Sequence, residues 1–268
     1  MGFQQNLCKR EERMMIPLID ELQTFTYATY VKLLKHLKQK YEIIPLREIP
    51  NHKDSFLILR HDIDSSIKVA LKMARLERTL DIRATYFVMF SNKLYNVLEK
   101  DNLEALRNLM ELGHEIGLHY DMPTYEKYGL NLRETLETEM SLLSSLINCK
   151  VHSIACHNVA IMTGEDPFKN ITGYMNANTL RFNFHYVSDS CRAWYLSDLK
   201  ELLNFKHEKA QLLVHPFLWA EKVCRLSDIV ETLFKNLELE NESYSSLYLK
   251  LLEDGRRVRI KEDLERSK

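Results

Sequence analysis

Short apolar segments of strand length recur along this chain with amphipathic helical segments between them, and ionisable residues collect where those strands end. Phe56–Leu59 is an apolar run that ends in Arg60, His61, Asp62, Ile63 and Asp64. A helical pattern over Ser65–Leu80 follows, then a strand over Ala84–Phe90, a helix from about Leu94 to Leu112 and a strand through His114–Tyr120. A helix over Leu132–Ile147 leads into a strand over Val151–His157, and Phe182–Ser188 and Gln211–His215 read as further strands. Strands separated by helices of this length predict right-handed βαβ crossovers and therefore a parallel sheet or barrel. An amphipathic helix over Phe25–Lys40 precedes the alternation, and Leu226–Leu252 is predicted helical, ending at Gly255 with a solvated basic tail. No low-complexity linker divides the 268 residues, so one domain over 1–268 is expected, with core motifs over 56–219 and C-terminal helices over 226–268.

Composition removes several function classes. With 37 Lys+Arg against 38 Asp+Glu the formal charge is -1, and no basic patch with interleaved aromatics restores a local field, so nucleic acid is not expected as a partner. The 7 glycines form neither of the common phosphate-cradling loops. Cys8, Cys149, Cys156, Cys191 and Cys224 are an odd set without a close pair, which reads as reduced thiols. Met1–Met15 is polar and lacks the apolar run of a secretory signal, and no stretch approaches the ~18 apolar residues of a membrane span. A cytoplasmic location and no membrane span are the expectations. The 10 histidines are the residues most able to carry chemistry.

In parallel α/β folds ligands bind at the carboxyl ends of the strands, where the loops converge. Asp62 and Asp64 end the first strand, His119 and Asp121 another, and His157, Asp189 and His215 fall at later strand ends. The period of two along a strand puts Asp62 and Asp64 on one side, where they repel unless a cation or a proton lies between them. A divalent ion held by one carboxylate and two neutral imidazoles fits Asp64, His119 and one more histidine. Asp62 would then serve as base toward water and His215 as acid toward a leaving group. The structural alternative for Asp62 and Asp64 is a turn and helix cap before Ser65 and Ser66, and each histidine taken singly has a packing explanation. His61 alternates away from Asp62 and reads as a packing residue. His114, at the start of its strand, reads as structural, and His36, His52 and His207 need no functional account.

Leu59-Arg60-His61-Asp62-Ile63-Asp64, Ala84-Thr85-Tyr86-Phe87 and Gly113-His114-Glu115-Ile116-Gly117-Leu118-His119-Tyr120-Asp121 together resemble the polysaccharide deacetylases of carbohydrate esterase family 4, in a divergent branch. The likeness continues through Ile154-Ala155-Cys156-His157, Tyr186–Trp194 and Leu213-Val214-His215-Pro216-Phe217-Leu218-Trp219, in consistent order. The resemblance implies an irregular (β/α) barrel of about seven parallel strands and metal-dependent removal of acetyl groups from N-acetylated sugars, with a carbohydrate or sugar-linked substrate. It carries the base onto Asp62, metal ligands onto Asp64 and His119, and the general acid onto His215. Zinc is the expected ion.

The sequence departs from the family pattern at two places. The second metal histidine of typical members falls on Pro123, whose side chain has no ligand atom. His157 is the preferred substitute, since neighbouring strands lie only ~5 Å apart, and Asp121 is the second choice. The family's Arg-x-Pro-Tyr motif is also missing, so Arg192 is the candidate for orienting the base, with Asp189 beside it and Trp194 as a sugar-facing wall. Two rival readings are a catalytically degenerate deacetylase fold retained for binding or assembly, and a hydrolase of a small non-sugar amide.

Overall fold

A computed structural model describes residues 17–51, 54–157, 171, 173–236 and 242–266. Met1–Met15, with Cys8, and also His52 lie outside the described residues. The chain divides into two compact units, one formed by Glu42–Ser188 and Glu208–Phe217, the other by Met1–Tyr41, Asp189–His207 and Leu218–Lys268.

The first unit holds a parallel sheet of eight strands: β1 (Glu42–Ile44), β2 (Phe56–Ile63), β3 (Thr85–Val88), β4 (Glu115–Tyr120), β5 (Ser153–Cys156), β6 (Met175–Asn176), β7 (His185–Ser188) and β8 (Lys209–Val214). Seven run in the order β6-β5-β4-β3-β2-β8-β7, and β1 pairs with β2 off that path. One edge of β2 is shared: β1 pairs its first residues, from Glu42 opposite Phe56 to Ile44 opposite Ile58, and β3 pairs its last, from Arg60 opposite Thr85 to Ile63 opposite Val88. The other edge runs along β8, from Phe56 opposite Lys209 to His61 opposite Val214. All eight residues of β2 are buried, as an apolar run flanked on both edges should be. Among the described residues no pairing joins β6 to β7, so the sheet is an open, barrel-like curl of the kind the alternation and the family resemblance imply.

The period of two assigns the two faces of this sheet. Phe56 and Ile58 of β2 pack with Phe87, Ala155, Ala177, Ile44 and Leu46 in the interior. Gly117 belongs to this face: a Cβ there would meet the Phe87 ring at 2.5 Å and the Ser153 carbonyl at 3.0 Å. Its missing side chain lets the Phe87 ring lie across the interior, and that ring in turn supports the Arg60 guanidinium 5.2 Å above it. On the opposite face His61 reaches Glu77 at 2.7 Å and stacks on Tyr86, whose hydroxyl donates to Glu77. The helix Ile67–Thr79, which carries Glu77, is capped by Ser66, whose side chain accepts from Val69 N. Asp64 therefore does not cap that helix. His114 accepts from Ala84 N and donates to Ala74 O, which is the structural role expected of it.

In the second unit the helix Tyr27–Leu37 starts at a Thr26/Thr29 capping box. Phe25 stacks on Trp194 and both pack against Trp219. The C-terminal helix corrects the sequence-based expectation: Glu242–Arg266 is continuous, so Gly255 interrupts nothing. Its role is spatial, because a Cβ at Gly255 would lie 2.5 Å from Cys191 Sγ. Other elements escaped the sequence. β1 and β6 have three and two residues, too few for periodicity to register, and the helix Met122–Lys127 begins directly after β4. The helix expected from about Leu94 starts only at Lys100.

Gly117→Ala is expected to displace Phe87 and destabilise the protein by about 1–3 kcal/mol, the usual cost of overpacking. Thermal or urea unfolding checks this. Phe87→Leu in the Gly117→Ala background should recover part of the loss, because it removes the atoms the new methyl would strike.

Candidate metal centre

Asp62 lies on the interior face in the last turn of pairing between β2 and β3, where Asp62 is opposite Phe87. Arg60, two residues earlier on the same face, grips it with both arms: Nε donates to Oδ1 at 2.7 Å and Nη2 to Oδ2 at 2.8 Å. Both side chains are buried. Burial opposes ionisation of Asp62, but Arg60, His119 and His215 outweigh it and hold the carboxyl below the usual carboxylate range. The arginine at this carboxylate is thus on β2 itself. Its position was readable, because 60, 62 and 64 share one parity along a strand.

Asp64 stands one residue past the end of β2, and its chain is tied down from behind. Asn92 donates to Asp64 O at 3.0 Å, and the Tyr95 hydroxyl donates to Ile63 O at 2.8 Å while accepting from Met89 N. Neither Asn92 nor Tyr95 carries a motif signal, so sequence reasoning did not single them out. Asp64 Oδ1 lies 3.2 Å from His119 Nε2 and 4.0 Å from His157 Nε2, and Asp64 Oδ2 lies 3.7 Å from His215 Nε2. Burial again opposes ionisation, and the three histidines hold the Asp64 carboxyl well below its ordinary range.

His119 has its tautomer set by the backbone. Its Nδ1 is 3.0 Å from Ala155 O, a bond only Nδ1–H can make. Nε2 then faces two carboxylates, Asp64 at 3.2 Å and Asp62 at 3.5 Å, with a lone pair or with a second proton. A lone pair directed at two carboxylates is repulsive unless a cation lies between them. A backbone carbonyl behind the ring is the usual arrangement for a metal-ligating histidine. His157, just beyond β5, presents its ring nearly perpendicular to that of His119, with centroids 5.3 Å apart. One ligand atom each from Asp64, His119 and His157 lies within 4.8 Å of the others, and one carboxylate with two imidazoles is a donor set that fits a divalent transition ion. Burial pushes the His157 pKa down, toward the neutral imidazole that a metal requires. For His119 burial acts the same way, but Asp62 and Asp64 prevail and raise it.

Asp121 sits on the far side of the His157 ring, with Oδ1 4.0 Å from His157 Nδ1, and its other oxygen accepts from Thr124. Pro123 occupies the first turn of the helix Met122–Lys127. Three expectations fare differently. Arg192 is engaged within the second unit, donating to Cys224 O at 2.9 Å and Thr24 O at 3.3 Å, and it is Arg60 that holds Asp62. Trp194 is buried against Phe25 with its indole N–H on Leu22 O, so it presents no sugar-facing wall. Asp189 is fully buried and accepts from the Trp219 indole at 2.7 Å.

No family model matches this chain, and no curated protein matches it. Among solved structures it is similar to a pseudoenzyme of carbohydrate esterase family 4 from Bacillus anthracis (14% identity, 70% of this chain and 62% of that chain, TM-score 0.40). It is also similar to the catalytic domain of a peptidoglycan N-acetylglucosamine deacetylase from Eubacterium rectale (15%, 70% and 86%, TM-score 0.41). A third is a chitin deacetylase from Colletotrichum lindemuthianum (15%, 68% and 81%, TM-score 0.39). The chain spans 62–64% of the length of the first three solved structures it matches.

With zinc supplied, elemental analysis is expected to find one ion per chain, lost in Asp64→Ala and His119→Ala and weakened at least tenfold in His157→Ala, the usual scale of a missing ligand or its support. Affinity should fall as pH drops, because His119, whose pKa is raised, regains a proton that competes with the ion. Unchanged binding in His157→Ala would remove it from the ligand set.

Proposed function

We propose that this chain is a metal-dependent amide hydrolase that removes an acyl group, acetyl before others, from an N-acylated amino sugar or sugar-linked intermediate. The observation that carries the reading is the convergence of Asp62, Asp64, His119, His157 and His215 from four strand ends, with three of them within reach of one ion. The sugar amide as substrate rests on the motif resemblance. A divalent ion held by Asp64, His119 and His157 would act as a Lewis acid, polarising the amide carbonyl and making water more acidic.

The protein's own groups then divide the proton traffic. Asp62, kept ionised by Arg60, is the base that accepts a proton from the attacking water. Both its oxygens already accept from Arg60, so its orientation is fixed before substrate arrives. His215 approaches from β8, on the other side of Asp64, and donates a proton to the departing nitrogen. Arg60 is a positioning residue: buried over Phe87, it stabilises the carboxylate without an approach to solvent.

The binding-protein reading draws on a specific feature, the Pro123 substitution, which moves the third ligand to a different strand. One experiment separates the two: a chain that takes up its ion stoichiometrically yet deacetylates no amino sugar favours binding alone. Under the hydrolase reading, Asp62→Asn keeps the ion and loses activity by about 10²–10⁴-fold, the range of a general base. Full activity in that variant overturns the mechanism. Arg60→Lys should move the acid limb of kcat/KM to higher pH: removing the bidentate partner raises the Asp62 pKa, so the base is ionised over a narrower range. An acid limb in the same place would show that Arg60 does not set the charge of Asp62.

A further inference from the structure

We propose that the second unit carries a binding site for a phosphoryl group, as an ester of a small organic molecule, in the cavity between Arg192, Arg256 and the first turn of the helix Leu226–Asn236. The cavity holds about 300 Å³ and is lined by Thr24, Arg192, Cys224, Arg225, Ser227 and Arg256, among others. Liquid water occupies ~30 Å³ per molecule, so there is space well beyond a lone tetrahedral ion.

Arg192 is the centre of the site. It is only 5% exposed, and its guanidinium meets neutral partners alone, Cys224 O and Sγ, Thr24 O and the Phe25 ring 5.5 Å away, while Nε has no acceptor. Among the described residues it has no carboxylate partner. A buried guanidinium whose hydrogen bonds all go to uncharged groups is costly, and Asp228, the carboxylate whose charge reaches it, is already paired with Arg225. The backbone that places it is strained as well: Cys191 and Arg192 are consecutive non-glycine residues in the left-handed region, with φ of 57° and 56°. Non-glycine residues are disfavoured in this region, and strain of this kind gathers where a ligand is held.

The C-terminal helix adds a second cation. Because Gly255 has no side chain, the helix passes directly over Cys191 Sγ, and the next residue, Arg256, lines the same cavity as Arg192. Two guanidinium groups on one small cavity repel one another, as two carboxylates do, unless an anion lies between them. Arg225 is paired with Asp228 at 2.8 Å and contributes less, and Glu253 is the one carboxylate on the lining. The helix Leu226–Asn236 has 11 residues and turns its N-terminal end to the cavity through Leu226 and Ser227, where the backbone dipole favours an anion. Donors converging from two helices and a strained turn match a tetrahedral oxyanion better than a planar carboxylate, which one guanidinium satisfies alone.

The test is titration calorimetry on the full chain at about 0.15 M chloride, so that surface charge is screened. The probes are glucose 6-phosphate, inorganic phosphate and glucose. Saturable binding of glucose 6-phosphate is expected, weakened at least tenfold in Arg256→Glu, which changes an exposed helical position and leaves the fold intact by circular dichroism. Arg192→Lys should weaken it similarly. His119→Ala should bind as the parent does, which separates this site from the proposed metal centre. Tighter binding of the sugar phosphate than of inorganic phosphate identifies the ester as the ligand form; equal binding identifies free phosphate as sufficient. Glucose should not bind. Absence of saturable binding by both phosphates, binding undiminished in Arg256→Glu, or binding lost in His119→Ala overturns the proposal.

Discussion

The structure of the sheet unit turns on how it accommodates two carboxylates, Asp62 and Asp64, at the end of a strand buried along its whole length. Every residue of β2 is inaccessible, and a carboxylate in such surroundings is stabilised only by fixed opposite charge or by donors already in place. Asp62 has that in Arg60, an interior guanidinium with two short, parallel hydrogen bonds. Asp64 has no arginine. It is surrounded by imidazoles at 3.2, 4.0 and 3.7 Å, groups whose charge depends on what else is bound. The two carboxylates therefore differ in kind: one is neutralised permanently by the protein, the other is left to be neutralised by a cation or by protons.

That difference explains why neighbouring features are needed. Arg60 requires a flat partner beneath it, and Phe87 reaches that position only because β4 has glycine at 117. His119 requires a fixed tautomer, and Ala155 on the adjoining strand provides the carbonyl that sets it. Asp64 requires a chain that does not recoil from the repulsion of Asp62, and Asn92 and Tyr95 hold its backbone from outside the sheet. Each of these residues narrows the positions open to Asp62, Asp64 or His119.

Much of this was legible in the sequence because strand parity is a strict rule. The β/α alternation, the parallel sheet and the gathering of Asp62, Asp64, His119, His157 and His215 all follow from a period of two and from the convergence of loops at carboxyl ends. The failures have physical reasons too. Arg192 was linked to Asp62 by motif order, which says nothing about distance, whereas parity alone pointed to Arg60. Gly255 was read as a helix end because glycine is a poor helix former, yet its missing Cβ is what the Cys191 contact requires. The motif places Trp194 as a sugar-facing wall, while two tryptophans and Phe25 are more stable packed on one another. Asn92 and Tyr95 act through single hydrogen bonds to backbone, which leave no periodic trace.

At Pro123 the chain has no side-chain donor, and the neighbouring strand places His157 beside His119. Four residues after His119 the chain has Pro123, in the first turn of the helix that follows β4. β5 is hydrogen-bonded beside β4, with His119 opposite Ala155, so the residue two places further on shares the parity of His119 and sits one step nearer the mouth. That residue is His157, and its main-chain N–H is fixed on Tyr120 O at 2.8 Å. Parallel pairing thus brings an imidazole from the neighbouring strand to the side of the His119 ring. The cost is in rigidity behind the ring: His157 Nδ1 has Asp121 at 4.0 Å, too far for a hydrogen bond, where His119 has a carbonyl at 3.0 Å. The cluster is accordingly firm on the β2 and β4 side and looser on the β5 side, where His157 Nδ1 lacks the short contact that His119 Nδ1 makes.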